Sequence, residues 1–442
     1  MSRYVEATDD DSPSPGRTAL VLAGGGTSGA VYEIGALRAI DDLLVNRTVN
    51  DFDIFVGTSA GALVASFLAN GMSSVDLMRV VNATHPIASF PEPKHLFHLN
   101  TGEMFRRGLG LPRRLISTGL DALASRGRLS VLDMVLSGLG SALPSGIYDN
   151  RAYGVWMRDT LALSGCTNHF DQLTRELYII ATELDNGHRA VFSAQTPDVP
   201  ISEAVAASSA VPIIYKPFRI GKRVFIDGSA RGNASLDVAI EHGAKLVVCI
   251  NALVPFDSTR QQGSRDDLIS ERGLEAVSAQ ATRVMLHSGL KYQIKQLQRR
   301  HPDIDIILIE PRPDDAMMFF ANPMRLQDRV KIAEHGFRSV SVDLAGGYQV
   351  FKETLARYDI EISSGLLRAD LEEMRQAKHD PQIVQRVLEG GAGQEAENKK
   401  NANGRFTKHI PGMPNMLHIP YVPHVTHFPR KIPGLNRIVD RR

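Results

Sequence analysis

Apolar residues gather in short runs along this chain, and the stretches between them repeat apolar positions at helical spacing. Thr18-Ala19-Leu20-Val21-Leu22 reads as a buried strand, closed by Gly24-Gly25-Gly26. From about Ala30 to Val45, the residues Ile34, Leu37, Ile40 and Leu44 recur at the period of a helix. Ile54-Phe55-Val56 predicts a second strand, and Ala60 to Ala69 a second helix. Further apolar runs follow at residues 177–180, 224–226, 246–250 and 304–309, several of them separated by helical patterns. That alternation implies an α/β fold around a sheet of largely parallel character. Asn186-Gly187, between residues 179–181 and 190–192, predicts a hairpin within the sheet.

Beyond residue 250 the pattern turns helical, over Leu268 to Arg299, Gln327 to Leu344 and Gly365 to Leu388. After Gly390 a polar linker leads into a tail rich in proline, which removes backbone donors and predicts a non-helical segment. The expected organisation is a disordered leader over residues 1–17, a catalytic domain over 18–250, an extension over 251–389 and a basic tail over 390–442. Within the catalytic domain, residues 85–150 form an insert that reads either as a lid or as an ordinary helical insert whose arginines face water. No charge appears from Ile54 to Val75, yet glycine, serine and asparagine interrupt the run. A membrane span needs about 20 predominantly apolar residues, so a strand, turn and helix account for it better.

Composition narrows the function classes. The chain has 442 residues, 43% hydrophobic and 22% charged, enough for a large buried core. A net charge of +1 argues against a dedicated nucleic-acid binder. Only Cys166 and Cys249 occur, with no metal-ligand spacing, which fits a reducing compartment. Cys249, inside the run at 246–250, reads as a buried structural thiol.

Three motifs carry candidate chemistry. Gly24-Gly25-Gly26-Thr27-Ser28-Gly29, between a strand and a helix, matches the dinucleotide fingerprint in form. A P-loop is excluded, because Ala30 stands where lysine is required. The acidic residue a Rossmann site wants after its second strand is missing too. Successive glycine N–H groups at a helix start also make an anion nest, able to hold a developing oxyanion. Gly57-Thr58-Ser59-Ala60-Gly61 fits a nucleophile elbow, with Gly57 and Gly61 flanking the serine, though short GxSxG matches also arise in loose loops. Val224-Phe225-Ile226-Asp227-Gly228-Ser229 puts a carboxylate at a strand end, where a plain Asp-Gly turn is the competing account.

Taken together and in order, these motifs resemble the patatin-like phospholipases. "EAVAASSAVPIIYKPF" at 203–218 and "IIATELDNGHRAVFS" at 179–193 are similar to family segments, and the likeness covers residues 18 to 250. The region 322–336 also looks like an extension carried by some bacterial relatives. The resemblance implies a three-layer fold with a mainly parallel central sheet flanked by helices. It also implies lipid acyl hydrolysis by a Ser–Asp dyad. Ser59 would be the nucleophile, Asp227 the proton acceptor, and the loop Gly24, Gly25, Gly26, Thr27, Ser28 and Gly29 the oxyanion hole. Gly228 and Ser229 complete the aspartate motif. No metal or organic cofactor is expected. Two departures stand out: Ser28 where members usually carry arginine or lysine, and Ser229 where they carry glycine or alanine.

Alternatives remain at this point. A Ser-His-Asp α/β-hydrolase would draw on His242, His287, His301 or His335, which follow Asp227. A non-catalytic lipid-binding or scaffolding protein on the same fold is favoured by Ser28. Two basic segments suggest contact with anionic membrane. Residues 94–132 carry Lys94, Arg106, Arg107, Arg113, Arg114, Arg126 and Arg128 among apolar side chains, against Glu103 and Asp121. Residues 399–442 hold nine Lys/Arg against Asp440 alone. The expected partner is a lipid or membrane surface, with no nucleic acid, and the expected location is cytoplasmic with peripheral membrane association.

Overall fold

The computed structural model describes residues 16–106, 143–260, 268–320, 326–377, 380–390 and 425–428. Strand β1 (Arg17–Leu22) leads into helix α1 (Gly26–Leu43), and β2 (Ile54–Thr58) leads into α2 (Ala60–Ala69) and α3 (Ser74–Asn82). A short helix, α4 (Pro93–Leu96), precedes β3 (Gly146–Tyr148) and α5 (Arg151–Leu163). The hairpin of β4 (Glu176–Glu183) and β5 (Arg189–Phe192) is followed by α6 (Ile201–Ser208), β6 (Ile213–Tyr215), β7 (Phe218–Ile220) and β8 (Arg223–Asp227). Helix α7 (Leu236–Glu241), β9 (Ala244–Ile250), α8 (Gly273–Arg300) and β10 (Asp305–Ile309) come next. The helices α9 (Ala316–Phe320), α10 (Leu326–Gly346), α11 (Tyr348–Ala356), α12 (Gly365–Gln376) and α13 (Pro381–Leu388) follow, and β11 (Val425–Phe428) lies in the tail.

The main sheet runs β11-β10-β9-β1-β2-β4-β8-β7, with β5 paired to β4. Its middle, β10-β9-β1-β2-β4, is parallel throughout, and the outer pairings are antiparallel. Alternation along the central strands sorts side chains to opposite faces. Leu20, Leu22, Phe55, Val248 and Ile307 join the core under α1, α2 and α10. Ala19, Val21, Val56, Cys249 and Ile306 pack against α7 and α8 on the other side. Burial on both faces explains why these strands read as unbroken apolar runs. The result is the expected α/β arrangement of a central sheet between helical layers. The uncharged run from Ile54 to Val75 is divided among β2, α2 and the start of α3, and no helix among the described residues is long and apolar enough to cross a membrane.

Several elements differ from expectation. Helix α1 starts at Gly26, ahead of Ala30, because the glycine loop turns directly into the helix and its first turn carries no apolar period. The expected helix over 365–388 is two helices: Asp380 caps α13, accepting the Gln382 N–H at 2.9 Å, and Pro381 opens it. The tail contributes β11, antiparallel to β10. Residues 1–15, the span 107–142 of the insert and most of the tail lie outside the described residues, including the greater part of the two basic segments.

Helices from beyond residue 250 share the core of those before it. A Cβ on Gly35 of α1 would stand 2.2 Å from Ala333 O, and one on Gly336 of α10 would stand 2.7 Å from Tyr32 O, so glycines set the close crossing of these two helices. Nearby, Arg38 is buried with two carboxylates. It pairs with Asp42, approaches Asp370 Oδ2 at 3.8 Å, and donates from Nε to Leu388 O at 3.2 Å. One guanidinium faces two desolvated carboxyls. Burial, then repulsion from Asp42, pushes the Asp370 carboxyl up to about 8. Folded Asp370 therefore holds a proton that an unfolded aspartate has lost above about pH 4. This group's contribution to stability is full at low pH and declines as pH rises from about 4 towards about 8. Urea midpoints measured across that window should fall for the native chain and flatten in Asp370→Asn, whose amide mimics the protonated acid. An unchanged slope in the variant would refute this assignment.

Candidate active site

The C-terminal edge of the parallel strands brings the three motifs together. Ser59 stands between β2 and α2 with φ 53° and ψ −117°, a conformation that a residue with a side chain adopts at a cost of about 1–3 kcal/mol. Serine before a helix ordinarily caps it through its oxygen. Ser59 makes no such cap bond and is 5% exposed, so its hydroxyl is held for something else. Its backbone N–H donates to Ser208 Oγ at 2.8 Å, and Ser208 Oγ donates to Ile180 O at 2.5 Å. The turn is tight because its flanks lack side chains. A Cβ on Gly61 would meet Leu22 O at 2.2 Å, and one on Gly57 would meet Ala62 Cα at 2.5 Å.

Asp227 ends β8, opposite Ala181 of β4, which in turn lies beside β2. Gly228 closes the remaining gap: a Cβ there would lie 2.4 Å from Ile180 O and 3.0 Å from Thr58 Cγ2. The Asp227 carboxyl is 3% exposed. Oδ1 accepts the Ser229 N–H at 2.8 Å, while Oδ2 is buried without a hydrogen-bond partner. Burial pushes this carboxyl above its ordinary range, and the adjacent Ser59 hydroxyl and the Ser229 N–H offset only part of that.

The glycine loop covers the pair. A Cβ on Gly24 would stand 2.3 Å from Ser229 Oγ, 2.8 Å from Asn233 Oδ1 and 3.5 Å from Ser59 Cβ. The loop is narrower as a donor set than its six residues suggested. Gly24 N–H is committed to Asn233 O and Gly29 N–H to Gly25 O, both at 3.0 Å. The N–H groups of Gly26, Thr27 and Ser28 belong to the first turn of α1, which has no intrahelical acceptor for them, and Gly25 is its cap. Ser28 sits half-buried in that turn. The N-termini of α1 and α2 both meet at the site, and each carries the positive end of a helix dipole.

Sequence reasoning missed the side chains that anchor this loop. Asn233 Nδ2 donates to Asn251 Oδ1 at 2.7 Å, Asn251 Nδ2 to Glu310 Oε1 at 2.8 Å, and Lys291 Nζ to Glu310 Oε2 at 2.5 Å. Asn233, Asn251 and Glu310 follow β8, β9 and β10 at one edge of the sheet, Lys291 lies in α8, and no local motif marks any of them. Ser208 had a signal only in lying within the quoted 203–218 stretch.

Opening onto Ser59 is a cavity of about 210 Å³ lined by Gly26, Thr27, Leu63, Phe90, Leu96 and Tyr153 among others, mostly apolar. Larger cavities exist, including one of about 880 Å³ beyond residues 98–106, but neither Ser59 nor Asp227 lines that one. The four histidines are placed elsewhere. His242 Nδ1 meets Val238 O at 2.8 Å, and its ring lies 4.2 Å from Tyr178. His287 faces Glu310 at 3.1 Å, His335 pairs with Asp315, and His301 ends α8. Two of them thus sit against acidic partners in the fold. No cluster of metal-binding side chains occurs among the described residues.

Residues 20–240, half of the chain, match the family described as patatin-like phospholipase. The chain belongs to that family. Probable lipid hydrolase 463L of Invertebrate iridescent virus 6 is 22% identical over 227 residues, 51% of this chain and 64% of the relative, so the chain spans less than two thirds of that relative's length. Among solved structures, VipD from Legionella pneumophila is 14% identical, with a TM-score of 0.32 over 88% of this chain and 87% of that one. The ExoU–SpcU complex of Pseudomonas aeruginosa gives 16% identity and a TM-score of 0.23 over 88% and 71%. Scores this low carry no weight for the fold, which rests on the strand order above and the family match.

Replacing Ser59 by glycine removes the cost of its backbone conformation. Ser59→Gly should raise the free energy of unfolding by about 1 kcal/mol. Gly61→Ala should lower it by several times that, because the new methyl meets the Leu22 carbonyl. Equilibrium denaturation checks both, and a destabilised Ser59→Gly would contradict the strain assigned here.

Proposed function

We propose that this protein is a lipid acyl hydrolase of the phospholipase, lysophospholipase or esterase kind, working through a Ser59–Asp227 dyad and an acyl-enzyme. The observation that carries this reading is the uncapped Ser59 hydroxyl beside the buried, unpartnered Oδ2 of Asp227, at the mouth of an apolar cavity.

In the proposed reaction Ser59 Oγ attacks the ester carbonyl, and Asp227 Oδ2 takes the hydroxyl proton. The negative charge on the former carbonyl oxygen is met by N–H groups among Gly25, Gly26, Thr27 and Ser28 and by the helix N-termini. Collapse of the tetrahedral adduct breaks the bond to the leaving alcohol, which departs with the proton from Asp227. Water then gives a proton to Asp227 and attacks the acyl-serine; collapse of this second adduct breaks the bond to Ser59 Oγ, which takes the proton back from Asp227 as the acid leaves. An ordinary aspartate, with a pKa of about 3.9, is a weak base for this work. Burial raises the basicity of Asp227, and the fixed dipoles take the place of the side-chain cation that Ser28 does not supply. Residues 18–250 would hold the chemistry and 251–389 would brace it. The proposed setting is a reducing, cytoplasmic compartment at a lipid surface.

Ser59→Ala and Asp227→Asn should each lower kcat/KM on short-chain and phospholipid esters by at least about a thousandfold. Single substitutions of His242, His287, His301 and His335 should leave it within a few-fold if the variant folds. Because the raised Asp227 must be ionised to accept a proton, kcat/KM should rise with pH through an apparent pKa above the normal carboxylate range. A histidine variant as inactive as Ser59→Ala would replace the dyad with a triad.

A further inference from the structure

Beside the Ser59 cavity lies a small parallel sheet of β3 and β6, extended by an antiparallel bridge from Leu99 to Tyr148. Asn100 N–H donates to Ile147 O and Asp149 N–H to His98 O, so the three segments form one ledge. Ile214 and Tyr215 of β6 also line the cavity, which makes the ledge its rim. The apolar side chains of this rim face water: Ile213 is 79% exposed and Leu99 50%, with Ile147 and Ile214 at 43%.

Ile213 is opposed twice over. Its φ is +74°, a region that a β-branched residue enters only under strain. Its side chain is also among the most exposed large apolar groups of the chain. Asparagine or glycine would relieve both costs, so an isoleucine here is costly to the isolated fold and gains only when something apolar covers it. Continuous with the ledge is the cavity of about 880 Å³, where Arg106, Arg158, Lys216 and Arg219 stand among the lining groups. Its carboxylates are Glu103, Asp149 and Glu203, and Asp149 is held by Arg151 and Lys216.

We infer that this ledge docks the protein on an anionic bilayer, with Ile213 entering the acyl region and the arginine-lined flank facing anionic headgroups. This rests on the acyl-hydrolase reading, since whatever sits on the rim of the Ser59 cavity must deliver an acyl chain into it. A bilayer does so, whereas a folded partner on the rim would close the cavity. Apolar insertion beside a basic flank is also the pairing that binds an anionic interface.

The test is vesicle flotation of the full chain carrying Ser59→Ala, on phosphatidylcholine vesicles with and without phosphatidylglycerol. Adding Ile213→Asn should weaken partitioning by roughly tenfold to a hundredfold, the loss expected from one large apolar side chain. Arg158→Gln with Arg219→Gln should weaken binding to the anionic vesicles alone. In the Ser59 background, Ile213→Asn should keep its turnover of a water-soluble short-chain ester, with an unfolding midpoint unchanged or raised. Vesicle binding that ignores Ile213→Asn overturns the inference. A lowered midpoint with unchanged vesicle binding would mean the ledge is covered from within the chain. Loss of a dimer without loss of vesicle binding would assign it to a second copy, and either result also overturns docking. Ile213-dependent binding by a chain that hydrolyses no ester would uphold docking and refute the hydrolase reading.

Discussion

The contact on which the site depends is the approach of α2 to the end of β1, allowed because Gly61 presents no side chain to Leu22 O. That approach leaves Ser59 no room to relax into the helix, and it fixes the left-handed φ that keeps the hydroxyl away from its own backbone. The sheet on either side of β1 over-determines the turn, with β9 and β2 both parallel to it. Strain at one residue persists because many unstrained neighbours would have to move to release it. Gly228 repeats the device one strand further on, bringing the aspartate turn against Thr58.

Electrostatics follows the same plan. Asp227 is held in a place that disfavours its charge, and the partial compensation comes from the Ser59 hydroxyl and from Ser229 rather than from a neighbouring cation. The glycine loop over the pair is tied down through Asn233, Asn251 and Glu310 to Lys291 of α8. Burial favours protonation of Glu310, but His287 and Lys291 outweigh it and hold the group below its ordinary range. A charged residue beyond residue 250 is therefore part of the frame on which the glycine loop hangs.

What could be seen in the sequence was whatever a short window contains. The strand-to-helix turn at Ser59, the hairpin at Asn186-Gly187 and the doubly buried strands are local patterns, and each appears where its residues lie. The glycine loop and Asp227 were legible as motifs, but their proximity to Ser59 came only from resemblance, because strand order has no local signature. The short strands β3, β6 and β7 escaped because three residues cannot establish a period, and β11 lay in a proline-rich tail that argued against regular structure. The Arg38–Asp42–Asp370 cluster was hidden for another reason: charged residues on a helix are normally exposed, and only the packing of α12 and α13 over α1 buries these.

The strand order also sets a schedule. β1 and β2 are synthesised well before β8 and β9, yet β1 lacks its second neighbour until β9 exists, and Asp227 is not brought to its place until β8 has joined β4. Pairings so distant along the chain close late in folding. A nascent chain would thus carry Ser59 long before Asp227 is in place beside it. On the proposed hydrolase reading, competence would switch on only once these strands have closed the sheet, and a half-made chain would be inert.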